Sequence, residues 1–146
     1  MTTLQDRLAS LGHLLPEVGA PAANYLHHRA SPGLLVISGQ IGTPGRGALD
    51  APAARAEAEI AALKLLAVLD AAVEGDLSRV SQVLRLGIFV AAAPGFTQHS
   101  TVADGASDLV VAALGERGRH ARAAIGVASL PAGAAVEVEA LVELVS

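Results

Sequence analysis

Val136-Glu137-Val138-Glu139-Ala140-Leu141-Val142-Glu143-Leu144 is the stretch on which the fold turns. Side chains alternate across a strand, so Val136, Val138, Ala140, Val142 and Leu144 share one face. Glu137, Glu139 and Glu143 share the other, with Leu141 among them. The apolar row calls for a covering layer of helices. The carboxylates would repel one another unless water, arginines or a partner subunit intervene. Working back from this strand, Arg122 to Val127 is a second strand, joined to it by a loop at Leu130 to Gly133. Val80 to Ala92 is β-branched and apolar, a buried strand broken by Pro94-Gly95. Thr97 to Leu114 has the spacing of a long helix, with Ala103, Ala106, Val110 and Ala113 on one face and Gly115 as its C-terminal cap. Ala53 to Val73 is another, striped by Ala58, Ala61, Leu65, Leu69 and Ala72. Tyr25 to Ala30 and Leu34 to Ile41 flank Ser31-Pro32-Gly33 as a hairpin. Leu4, Leu8, Leu11 and Leu15 predict a short amphipathic helix over Thr3 to Leu14. Two long helices over one mixed sheet make an α/β or α+β sandwich. Its second sheet face must be polar or covered by another subunit.

The chain has 146 residues, is 52% hydrophobic, 16% charged and 2% aromatic, and contains no cysteine. Its mean hydropathy is +0.50. Such a composition excludes intrinsic disorder. It does not make a membrane span, because Lys64 and Asp70 interrupt Ile60 to Val73 and Arg85 interrupts Val80 to Ala93. The opening residues lack the apolar core of an export signal, so a cytoplasmic protein is expected. The apolar excess points instead to a buried subunit interface. A net charge of -4, a single lysine and no tryptophan argue against general nucleic-acid binding. The lack of cysteine removes disulfides, thiolate nucleophiles and thiolate metal sites, and fits a reducing compartment. No repeat, linker or second domain is evident.

Alternation also nominates candidate site residues. Arg122 shares a strand face with Ala124 and Gly126, whose small side chains leave room for an anion on its guanidinium. A solvated or interface arginine paired with a glutamate is the plainer reading. If the last strand pairs with its predecessor, Glu137 and Arg122 line one cavity, and a partly desolvated carboxylate there can transfer protons. An ordinary polar strand face is the alternative. Tyr25, the sole tyrosine, can orient a substrate or simply be half-buried. Ser38-Gly39-Gln40 ends a strand, where Gly39 admits a ligand close to the backbone and its N–H can face an anion. Other signals carry less. Gly42 to Gly47 lacks the lysine of a phosphate loop. His27, His28 and His120 lack metal-ligand spacing. Asp104 and Asp108 read as solvated or capping residues. No metal or cofactor is expected.

Four separated motifs form a recognisable set. They are Asn24-Tyr25, Val36-Ile37-Ser38-Gly39-Gln40-Ile41, Ala121-Arg122 running into Val127-Ala128-Ser129-Leu130-Pro131, and Val136-Glu137-Val138-Glu139-Ala140. Together they resemble the YjgF/Rid family of reactive intermediate deaminases, also called L-PSP endoribonucleases, from about Pro21 to the C-terminus. The resemblance implies an α+β, chorismate-mutase-like two-layer sandwich: a mixed sheet with two long helices on one face. It further implies a homotrimer with a barrel-like centre and ligand clefts between subunits. Residues 1–20 would be an N-terminal helix and linker, and 21–146 the core of a single domain. Such proteins hydrolyse small 2-imino or enamine acids to 2-keto acids and ammonia without a cofactor. By that resemblance Arg122 clamps the substrate carboxylate, and Ser38 and the backbone at Gly39 and Ala124 assist. Glu137 positions water and Tyr25 shapes the cleft. Ala124 stands where the family often has Cys, Gly126 where it has Glu, and Pro94 where it has Asn, so the chain reads as a divergent branch. The expected function is an imine deaminase. The alternatives are a non-catalytic binder of small carboxylates and, ranked last, an endoribonuclease.

Overall fold

A computed structural model describes residues 2–146. The first element, α1 (Leu4–Ser10), begins with a reciprocal cap. The Asp6 N–H donates to Thr3 Oγ1 at 3.1 Å, and the Thr3 N–H donates to Asp6 Oδ2 at 3.0 Å. Donation from the Thr3 N–H, and from the Thr3 hydroxyl at 2.8 Å, holds the Asp6 carboxyl below its usual range. The helix stops short of the expected Leu14 because Gly12 turns with φ +83°. Leu4 and Leu8 are buried, whereas Leu11 and Leu14 are exposed.

The hairpin forms as expected, with β1 (His28–Ser31) and β2 (Leu34–Ile41) joined at Pro32-Gly33, where Gly33 takes φ +76°. Its first strand is shorter than the sequence suggested, so Tyr25 precedes the sheet. Helix α2 (Ala51–Ala72) starts at Asp50, whose carboxylate accepts the Ala53 N–H at 3.0 Å. It buries residues on more than one side, Ala58, Ala62, Leu65 and Leu69 among them. The cause is that it lies against both the sheet and its neighbouring helix. Strand β3 (Val80–Ala91), helix α3 (His99–Leu114), strand β4 (Ala121–Val127) and strand β5 (Val136–Leu144) complete the chain. Gly115 ends α3 with φ +67°, as its position implied.

The sheet order is β1-β2-β5-β3-β4. Among the described residues, only β3 and β4 run parallel, which α3 makes possible by crossing over the sheet between them. The last two strands are therefore not neighbours: β5 is inserted between β2 and β3. Alternation on β5 holds, with Val136, Val138, Ala140 and Val142 buried beneath the helices. Leu35, Ile37, Leu86, Ile88 and Val90 join them to make the core. The opposite sheet face carries Glu137, Glu139 and Leu141, and leaves Val36 and Ile125 about half exposed, at 49% and 51%. Among the described residues, no helix is long and apolar enough to cross a membrane.

Candidate functional site

The candidate residues fall into two clusters, one on each side of the sheet. Arg122 pairs in register with Leu86, which pairs with Ala140, and so points towards the helices. Glu137 pairs with Phe89, which pairs with Ile125, and so points away from them. Within one copy, the two residues lie on opposite faces with β3 between their strands. The single-cavity arrangement considered from the sequence is thus absent from the subunit.

Three groups on α3 hold the Arg122 guanidinium. Nη1 donates to Asp104 Oδ1 at 2.8 Å and to Ser107 Oγ at 3.0 Å, and Nη2 donates to the Ser100 carbonyl at 3.2 Å. Residues 100, 104 and 107 recur at helical spacing, so one face of the crossover helix presents all three. Arg122 is paired, as the plainer reading had it, but with an aspartate from α3 rather than a glutamate. Its side chain is 23% exposed. The small residues beside it have a structural cause. A Cβ at Gly126 would lie 2.7 Å from His99 Nε2, so the first turn of α3 fills the space that the sequence reading left open. Ala124 packs against the core. Asp108 instead pairs with Arg55 of α2 at 2.6 Å.

The open space beside Arg122 lies along α3. A cavity of about 580 Å³ is lined by Ser107, Asp108, Val111, Ala112, Arg119, His120 and Arg122. Ser107 Oγ lies 2.8 Å from His120 Nε2, and His120 Nδ1 lies 2.7 Å from the Gly118 carbonyl. Sequence reasoning passed over Ser107 and His120 because it tested the histidine only as a metal ligand. Their relation needs the β3-α3-β4 crossover, which lays residues 104–108 beside 118–122.

The second cluster sits on the uncovered face. A Cβ at Gly39 would lie 2.7 Å from Glu137 Cδ, so the absence of a side chain there makes room for the carboxylate. Burial pushes the Glu137 carboxyl above its usual range, and the neighbouring Glu139 charge adds to this. Glu139 lies over Gly87 in the same manner and meets Arg85 at 3.4 Å. Arg85, noted in the sequence only as a break in an apolar run, is the cation paired with Glu139 on this face. The Ser38 hydroxyl donates to the Leu26 carbonyl at 2.6 Å and so ties the segment just after Tyr25 to β2. Tyr25 itself is 46% exposed. Its phenol therefore has room to meet a partner molecule. A groove of about 300 Å³ runs beside Val36, Ser38, Arg85, Glu139 and Leu141.

Comparison with known proteins places this arrangement. The family described as Endoribonuclease L-PSP matches residues 17–144. The chain belongs to that family. It is 46% identical over 147 residues to Protein TCP17 of Trypanosoma cruzi, covering 94% of this chain and 91% of the other. The structure of Atu1372 from Agrobacterium tumefaciens, a protein of unknown function, superposes with a TM-score of 0.89 at 41% identity, over 97% of this chain and 92% of that one. RidA from the Antarctic bacterium Psychrobacter superposes less closely, with a TM-score of 0.61 at 26% identity, over 87% and 94% of the two chains. The chain is accordingly an L-PSP family member of a divergent branch, one that resembles Atu1372 and TCP17 more than RidA. Its α+β fold is that of RidA structures.

Proposed function

We propose that this L-PSP family protein is a cytoplasmic homotrimer that hydrolyses small 2-imino or enamine acids to 2-keto acids and ammonia. The observation that carries this reading is Glu137. It is a partly desolvated carboxyl with raised proton affinity, set over Gly39 on the sheet face that the helices leave bare. Such a group suits proton transfer nearer neutral pH. Arg122 lies on β4, an edge strand whose outer backbone groups are unpaired within the subunit. In a trimer whose clefts lie between copies, Arg122 of one copy and Glu137 of the next would line the same space. Arg122 then holds the substrate carboxylate, sharing its guanidinium with Asp104. Backbone at Gly39 and Ala124 assists, Ser38 keeps the Tyr25 segment in place, and Tyr25 closes the cleft. Glu137 directs water to the imine carbon. The water oxygen bonds to that carbon, the nitrogen gains the protons, and ammonia leaves as the ketone forms.

The test is keto-acid release from amino-acid-derived imines. Arg122→Ala and Glu137→Gln should each lower kcat/KM by about 100-fold, the usual scale for losing a positioned charge or a general base. Equal rates for wild type, both variants and buffer would sink the proposal.

A second reading, a carboxylate binder without turnover, draws support from Asp104. Its carboxylate already occupies one edge of Arg122, a geometry suited to exchange for a ligand carboxylate. Saturable binding of a 2-keto acid, lost in Arg122→Ala and unaccompanied by imine turnover, distinguishes it. Endoribonuclease action draws only on the family description, against a charge of -4 and 2% aromatic residues.

A further inference from the structure

The geometry points to a second reactive centre in the cavity along α3: Ser107 as a nucleophile activated by His120, acting on small carboxylic esters. This inference needs one copy of the chain alone and does not rest on the imine-hydrolase reading.

The hydrogen-bond polarity is set from both ends. The Gly118 carbonyl can only accept, so its 2.7 Å contact places a proton on His120 Nδ1. In the neutral ring, Nε2 then carries a lone pair, directed at Ser107 Oγ 2.8 Å away. At the other end Arg122 Nη1 can only donate, and it does so to Ser107 Oγ at 3.0 Å. The hydroxyl therefore has one arrangement: its proton faces the imidazole and it accepts from the guanidinium. A second lone pair on Oγ remains for attack. This is the geometry of an activated nucleophile, with a base within hydrogen-bond reach and a third group fixing the base's tautomer. The Arg122 charge beside Oγ also stabilises negative charge developing there.

Packing makes the arrangement rigid. A Cβ at Gly118 would lie 2.6 Å from the Val110 carbonyl, so Gly118 must be glycine for the turn before β4 to press on α3. That close approach brings the Gly118 carbonyl and His120 onto the helix face bearing Ser107. Asp104, which accepts from the same Nη1 at 2.8 Å, stops the guanidinium from swinging away. Ser107, His120 and Arg122 all line the open cavity of about 580 Å³, with Val111 and Ala112 supplying an apolar wall.

The chemistry balances with an ester and water alone. Ser107 Oγ bonds to the acyl carbon while its proton moves to His120 Nε2. The carbon–alkoxy bond breaks, and the leaving oxygen takes that proton and departs as the alcohol. Water then adds to the acyl-serine and gives a proton to Nε2. The acyl–Oγ bond breaks, Oγ regains the proton, and the carboxylic acid is released.

The experiment treats the whole protein with an alkyl fluorophosphonate and maps the adduct by mass spectrometry, with p-nitrophenyl acetate as the turnover probe. Wild type should gain one adduct, on Ser107, together with a burst of p-nitrophenolate. Ser107→Ala should show neither, and His120→Gln should label about 100-fold more slowly. His120→Asn, a second variant without the ring, tests the role of the imidazole even if His120→Gln does not fold. No adduct on wild type, an adduct on another residue, or labelling of the His120 variants at the wild-type rate would each overturn the assignment. Failure of imine turnover would leave it standing.

Discussion

Two glutamates on the bare sheet face each lie over a glycine, Glu137 over Gly39 and Glu139 over Gly87. The pairing lets a carboxylate lie down on the sheet, where it is partly shielded from water. Only Glu139 has a nearby arginine, Arg85 at 3.4 Å. Burial raises the Glu137 carboxyl, with the Glu139 charge as the second cause. The consequence for stability follows from proton linkage. When the folded-state pKa exceeds the unfolded one, the folded protein binds more protons between the two values. Stability therefore falls as pH rises through that window, and the penalty is complete above the folded-state value. Glu137→Gln removes the penalty. It should melt higher than wild type at pH 7, with the gap closing below the ordinary glutamate value of 4.5. Thermal melts across that range check it. A wild type that is the more stable at neutral pH would show that a cation compensates for the burial.

At the scale of elements, the two long helices meet so closely that one position decides their distance. A Cβ at Gly105 of α3 would run into the backbone oxygen of Arg55 on α2. Two effects compete in Gly105→Ala. Helix propensity favours alanine by about 1 kcal/mol. Overpacking costs about 1–3 kcal/mol, and backbone cannot step aside as a side chain can. Overpacking should win, so Gly105→Ala should lower the urea midpoint by a net destabilisation of up to about 2 kcal/mol. A raised midpoint would show that the helices part easily. Most elements were legible in the sequence because their signals are local: the Pro32-Gly33 turn, the Gly115 cap, the apolar runs of α2, the alternation of β5. Strand order was not legible. Alternation assigns a residue to a face but does not name the neighbouring strand, so nothing local shows β5 lying between β2 and β3. The same limit hid the setting of Arg122. Its face was readable from Ala124 and Gly126, but its partners Asp104 and Ser107 come from α3 through the crossover.

At the scale of the molecule, the excess of apolar residues divides in two. One part fills the layer between sheet and helices. The other lies on the bare face, where Ile125 is 51% exposed in register with Phe89, and Val36 is 49% exposed beside Leu141. An apolar surface that borders the proposed cleft, on a sheet with an unpaired edge at β4, is what a trimer would bury. Ile125→Asp tests this without disturbing the core. Because the side chain already faces outward, the substitution should change subunit stability by no more than about 0.5 kcal/mol. Desolvating an unpaired aspartate against a neighbouring copy, by contrast, is costly. Sedimentation equilibrium should give wild type at three times the 14.6 kDa chain mass and Ile125→Asp at the single-chain mass. Imine hydrolysis should disappear with the trimer, while fluorophosphonate labelling of Ser107 should persist. A wild-type monomer at micromolar concentration with full imine turnover would contradict the shared cleft, since it would leave Arg122 and Glu137 on opposite faces of one sheet with no common substrate within reach.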